Sequence, residues 1–338
     1  MKLTPGKLAG MKAVSDARGV IAAAAMDQRG SLQKALAKEK GVPNVPESML
    51  EEFKSIVTEV LTQYASAILL DPEYGLPAAK RRNKSSGLLL AYEQTGYDNN
   101  RPGRIPDLLN HWSVRRLKEA GADCIKVLIY YSPFDSKEIN DEKHAFVERI
   151  GDECRGQDIP YFLEFVGYDP QGGDEKGLEY ARRKPESVIR SMEELTKENY
   201  GIDVMKAEVP INMKFVEGVR SNAGKGSAYT RKEAMELFRK SAAVATKPFI
   251  YLSAGVSNEE FAETLELAAE SGVKFNGVLC GRATWAAGIP VFAKQGQKAF
   301  VEWMKTEGVK KIQNVNEKLK AATPWYEVYG AELKAALA

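Results

Sequence analysis

Histidine is nearly missing from this chain: His111 and His144 are the only two in 338 residues. A three-histidine zinc centre is excluded by that count, and no metal or other cofactor is expected. Cysteine is scarce too. Cys124, Cys154 and Cys280 cannot all pair within the chain and no CxxC occurs, so the expected compartment is reducing. Neither sign of charge is in excess, with 48 Lys and Arg against 46 Asp and Glu for a formal net charge of +2. A protein that neutralises phosphate backbones carries a basic excess or stripe, so no nucleic-acid partner is expected. The longest apolar run, VIAAAAM at 20–26, is far too short for a bilayer, and the first residues hold no apolar signal core. The expectation is a cytoplasmic protein without a membrane partner.

What remains is ordinary globular composition, 44% hydrophobic and 28% charged, long enough to build a core without disulfides. Eight short apolar runs read as strands: 19–27, 65–72, 87–93, 123–131, 160–168, 204–210, 248–255 and 277–283. Most are apolar throughout, as parallel strands buried on both faces are. Between them lie helical patterns at 31–40, 47–64, 106–120, 138–156, 185–198, 230–245 and 257–271, while 73–86 leaves room for one or two turns. Ser257, with Glu260 three residues on, has the spacing of a capping box. Gly121 and Gly272 sit where helices end.

About eight β–α repeats predict a closed (β/α)8 barrel of the α/β class. A doubly wound sheet is the rival, but no G-x-G-x-x-G follows the first strand. One domain over 1–338 is expected, with residues 1–18 (chiefly 3–16) as an N-terminal cover. Additional C-terminal helices over 294–338, at 294–321 and 325–337, complete it. SNAGKGSAY (221–229) lacks the spacing of a phosphate loop and reads as a flexible loop. Trp303 and Trp325-Tyr326 read as helix packing.

Charge inside the apolar runs carries the chemistry. Lys126, Glu164 and Lys206 lie within strands, while Asp27, Asp71 and Glu93 close theirs. Charge in a core is costly unless paired, and barrel enzymes build their sites at the strands' C-terminal ends. A plain salt-bridge network is the alternative, strongest for Asp71 and Glu93 as capping or turn residues. A lysine buried beside another cation loses proton affinity, and its neutral amine can attack a carbonyl to form a Schiff base. A neighbouring carboxylate, Glu164, can shuttle the protons. Residue types alone leave open whether Lys126 or Lys206 is the nucleophile. Ser253, Gly255, Gly281 and Arg282, at the ends of the seventh and eighth strands, can form an anion site, unless the glycines merely turn the chain. Arg29 is a second anion candidate or a surface arginine.

The blocks AMDQRG, ILLDPEYG, LLLAYEQTGYD, FLEFVGYD, VMKAEVPINM, YLSAGVS and LCGRATWA, spread from about residue 19 to 325, together resemble the class I tagatose 1,6-diphosphate aldolases of bacteria. That resemblance implies metal-free cleavage of tagatose 1,6-bisphosphate to dihydroxyacetone phosphate and glyceraldehyde 3-phosphate, with tolerance for the fructose epimer. It matches Lys206 to the Schiff-base lysine, Glu164 to the acid/base and Lys126 to the supporting lysine. Asp27 matches the acid near the substrate hydroxyls, with Gln28 beside it. Ser253, Gly255, Gly281 and Arg282 match the site for the phosphate of the dihydroxyacetone half, and Arg29 the far anion. A related enzyme cleaves 6-deoxy-6-sulfofructose 1-phosphate, which is the first alternative substrate. A non-catalytic sugar-phosphate sensor and another Schiff-base lyase or transaldolase are the other readings. A sugar phosphate is the expected small-molecule partner and a homodimer the expected assembly.

Overall fold

The eight apolar runs become eight parallel strands, each bonded to the next and the last to the first. They are β1 (Ile21–Met26), β2 (Ala67–Leu70), β3 (Gly87–Ala91), β4 (Cys124–Tyr131), β5 (Tyr161–Gly167), β6 (Val204–Ala207), β7 (Phe249–Leu252) and β8 (Gly277–Cys280). This computed structural model describes residues 3–330 apart from 223 and 225, together with 333, 335 and 337. The expected barrel is therefore present, its strands shorter than the apolar runs because the runs continue into the loops at either end.

Alternation along each strand divides the core in two. Ile21, Ala23, Ala25, Leu69, Leu89, Phe162 and Ile250 fill the barrel interior. Ala22, Ala24, Met26, Ile68, Leu70 and Leu163 face the helices in a second, larger cluster. Those helices are α1 (Pro5–Ala13), α2 (Gly30–Lys40), α3 (Glu47–Leu61), α4 (Leu76–Ala79), α5 (Val114–Glu119) and α6 (Lys137–Gly156), followed by α7 (Leu178–Leu195), α8 (Arg231–Ala243) and α9 (Asn258–Glu270). After β8 come α10 (Arg282–Trp285), α11 (Ile289–Trp303), broken at Gly296, and α12 (Val309–Lys318). Among the described residues no helix is long and apolar enough to cross a membrane.

The N-terminal end of the barrel is closed. Met11 of α1 and Val14, which caps it, join Trp325 in the interior cluster, and Lys7 pairs with Asp203, just before β6, at 2.7 Å. Trp325 is thus a packing residue, and Trp303 stacks on Phe300.

Several expected elements differ. The helix expected over 106–120 is confined to α5, because Ser113 caps it and the preceding chain bonds back to the end of β3, with Leu109 N donating to Tyr92 O. Helix α7 starts at Leu178 rather than 185, so Pro185 lies inside it. Proline cannot donate to the carbonyl four residues back, and that carbonyl, Ala181 O, instead accepts the Tyr229 hydroxyl. Ser257 caps α9 as expected, but the full reciprocal box forms at Thr230 and Glu233. The extra helices begin at 282 rather than 294. Of the helix expected over 325–337, a 3₁₀ turn at Trp325–Glu327 is seen, and residues 331, 332, 334, 336 and 338 lie outside the described residues, as do 223 and 225 of the 221–229 loop.

Gly277 seals the barrel. Its φ is +137°, and a Cβ there would lie 2.0 Å from Ile21 O on the neighbouring strand. Gly277→Ala should cost about 3 kcal/mol or more, read as a lower denaturation midpoint. An unchanged midpoint would mean that the β8–β1 seam yields.

Candidate active site

The inward positions of β1, β3, β4, β5 and β6 converge at the C-terminal mouth. The ladder registers Glu164 against Lys206 directly, and Leu128, two residues beyond Lys126, against Glu164. Lys126 stands at the centre. Its Nζ lies 2.8 Å from Asp27 Oδ2, 2.7 Å from Glu93 Oε1 and 2.9 Å from Glu164 Oε2, and its side chain has no exposed surface. Lys206 Nζ donates to the same Glu164 Oε2 at 2.8 Å. Glu164 therefore stands between the two ammonium groups, which do not face one another unscreened as the sequence suggested.

Burial alone would lower the affinity of Lys126 for its proton, but Asp27, Glu164 and Glu93 outweigh it and hold the pKa well above the ordinary lysine value. Burial would raise the Asp27 carboxyl, yet Lys126 and Lys206 dominate and bring it well below the usual range. At Glu93 burial outweighs Lys126 and Arg29, and the carboxyl is pushed up. Asp27 Oδ1 and Glu93 Oε2 are buried with no hydrogen-bond partner among the described residues. All five groups line one cavity of about 330 Å³, a size suited to a small molecule.

Asp71 does not join them. β2 ends at Leu70, the chain turns, and Asp71 Oδ1 accepts from Glu73 N and Tyr74 N, while Oδ2 pairs with Lys54 of α3. The turn reading was right for Asp71 and wrong for Glu93. The signal for Glu93 was its parity with Leu89 and Ala91, which face inward.

The opposite wall of the cavity holds Ser253, Gly255, Gly281 and Arg282. Gly255 has φ +76°, and a Cβ there would press on the Arg282 guanidinium at 2.6 Å, so glycine lets that cation cross the β7 loop. Among the described residues no carboxylate lies within ion-pair distance of Arg282. Arg29 also lines the cavity but is no surface arginine. It is 6% exposed, pairs with Glu73 at 2.8 Å and donates to Glu93 O at 2.7 Å. Its Nε is buried without a hydrogen-bond partner among the described residues. Gln28 lines the same wall.

A barrel with two lysines and three carboxylates at its mouth meets the requirements of Schiff-base chemistry, and a family model for "DeoC/LacD family aldolase" matches residues 21–287. The chain belongs to that aldolase family. Among relatives of this lyase, tagatose 1,6-diphosphate aldolase 2 of Enterococcus faecalis is 51% identical over 96% of this chain and 97% of its own. The tagatose 1,6-diphosphate aldolase of Listeria monocytogenes serotype 4a is 49% identical over 98% and 97%. Solved structures agree in fold. A fructose-bisphosphate aldolase from Plasmodium falciparum superposes with a TM-score of 0.69 at 15% identity, covering 96% of this chain and 97% of that one. An archaeal fructose-1,6-bisphosphate aldolase, whose catalytic Lys is bound to a carbinolamine, gives 0.54 at 14% identity, covering 86% and 98%.

Lys126→Met would strand three carboxylates, a loss of about 3–5 kcal/mol. At least one would then keep its proton in the fold, with a pKa above its unfolded value, so stability falls as pH rises past about 4. In the wild type the depressed Asp27 contributes fully above its unfolded value of 3.8, and the raised Glu93 slopes the same way as the variant but less steeply, because Lys126 and Arg29 offset its burial. The gap in melting temperature between variant and wild type should therefore widen from pH 5 to pH 8. A gap independent of pH would contradict this charge balance.

Proposed function

We propose that this class I aldolase cleaves tagatose 1,6-bisphosphate to dihydroxyacetone phosphate and glyceraldehyde 3-phosphate through a Schiff base on Lys206. The observation that carries the assignment of the nucleophile is the unequal number of carboxylates on the two lysines. Lys126, ringed by three, keeps its proton and is a poor nucleophile; Lys206 has only Glu164 within ion-pair distance among the described residues.

In this reading Lys206 Nζ adds to the C2 ketone, and loss of water leaves an iminium. Removal of the C4 hydroxyl proton breaks the C3–C4 bond, and the electron pair flows into the iminium to give an enamine. The aldehyde leaves, the enamine is protonated at C3, and water releases dihydroxyacetone phosphate. Glu164, bonded to Lys206 at 2.8 Å, carries the protons. Lys126 keeps Glu164 and Asp27 in place, and Asp27 with Gln28 engages the substrate hydroxyls. Ser253, Gly255, Gly281 and Arg282 hold the phosphate of the dihydroxyacetone half, and Arg29 faces the far anion.

The substrate assignment draws support from two relatives near 50% identity that carry the tagatose name over almost their whole length. Nothing in the cavity favours a sulfonate over a phosphate at the far end. Cys124, Cys154 and Cys280, buried and free, support a reducing, cytoplasmic setting.

Lys206→Ala should lower turnover of tagatose 1,6-bisphosphate by about four orders of magnitude while circular dichroism stays unchanged. Turnover near that of the wild type would overturn the assignment. Wild-type enzyme should also cleave fructose 1,6-bisphosphate, assayed by release of dihydroxyacetone phosphate.

A further inference from the structure

Outside the ring of strands lies a second fully buried lysine that the reaction does not use. Helix α3 buries Leu50, Phe53, Val57 and Leu61, and Lys54 falls within that apolar stripe. Its Nζ meets three oxygens: Met26 O at 2.8 Å, Gln28 O at 2.7 Å and Asp71 Oδ2 at 2.6 Å. The two carbonyls accept hydrogen bonds from the ammonium, while Asp71 Oδ2, which accepts no hydrogen bond among the described residues, meets it as an ion pair. A buried ion pair is weak ground for stability, since a well-packed apolar residue often does as well. What three fixed oxygens supply is geometry.

The two carbonyls bracket Asp27. The ladder from β1 to β2 ends at the Met26–Leu70 pair, and α2 begins at Gly30. Residues 27–29 span the gap, and all three line the reaction cavity. Beyond the ladder, the backbone that carries them is tied to the end of β2 through Lys54. Asp71 is a firm anchor because its other oxygen is held by the amides of Glu73 and Tyr74.

We propose that Lys54 is a positioning residue: it pins the carbonyls on both sides of Asp27 to the end of β2, and so fixes Asp27, Gln28 and Arg29 against the substrate. The inference rests on the aldolase reading of the cavity. Lys54 also acts through charge. Asp27 faces Lys126 from β4, Lys206 from β6, Glu93 from β3 and Lys54 from α3, and Lys54 is one of the three cations that lower its carboxyl.

The test compares two reactions in Lys54→Met: cleavage of tagatose 1,6-bisphosphate, and exchange of deuterium from solvent into dihydroxyacetone phosphate. Exchange needs Lys206 and a proton carrier but no contact between Asp27 and the cleaved half. Cleavage kcat should fall about 10- to 100-fold, while exchange is unchanged. Wild-type cleavage would overturn the proposal, as would equal loss of cleavage and exchange. If Lys54→Met does not fold, Asp71→Asn decides. Asparagine keeps the bonds to Glu73 and Tyr74 and loosens only the ammonium, so cleavage should drop with exchange intact, and wild-type cleavage would overturn the idea. Wild-type enzyme that fails to exchange at all would instead overturn the aldolase reading, and this inference with it.

Discussion

One buried ammonium organises the mouth of this barrel. Lys126 has no contact with solvent and three carboxylates within 2.9 Å. Without it Asp27, Glu93 and Glu164 would repel one another in a poorly solvated space, and at least one would have to take up a proton. With it, Asp27 stays ionised and Glu164 is aimed at Lys206. An iminium carries the same charge as an ammonium, so in the proposed reaction the pair between Glu164 and the Lys206 nitrogen keeps its electrostatic balance as the Schiff base forms.

The barrel supplies the convergence. Strand alternation places every second residue inside, and closure brings β1, β3, β4, β5 and β6 to a common axis. Alanines at 23 and 25 leave interior room opposite Phe162. The N-terminal end is plugged by α1 and Trp325, so the interior opens toward the strands' C-terminal ends. Those ends carry the charged groups on one wall and Arg282 with its glycine-lined loop on the other. In the proposed reaction a substrate with an anion at one end and a ketone close to it would span that gap.

Much of this was legible in the sequence, and the failures have physical causes. The eight runs read as strands because parallel strands buried on both faces are apolar throughout. The charged residues interrupting those runs pointed to Asp27, Lys126, Glu164 and Lys206, all of which meet. Asp71 was grouped with them because it closes its apolar run, but the strand stops at Leu70 and the turn redirects it. Glu93 was undervalued because a carboxylate at a strand end reads equally well as a turn residue until its lysine is in place. The helical pattern at 185–198 missed the first residues of α7, since Pro185 lies inside that helix and the hydroxyl of Tyr229 that satisfies Ala181 O comes from 48 residues away. Residue types did not separate Lys126 from Lys206; the resemblance favoured Lys206, and the proposed assignment adds the unequal number of carboxylates around the two. Lys54 was hidden in an amphipathic pattern that tolerates one long side chain on its apolar face.

The central claim is that the lysine with a single carboxylate partner, and not the one with three, forms the covalent intermediate. Borohydride reduction in the presence of dihydroxyacetone phosphate, followed by peptide mass spectrometry, tests it directly. The account predicts a reduced adduct on Lys206 and an unmodified Lys126. An adduct on Lys126, or none on a protein shown separately to bind the ligand, would contradict it.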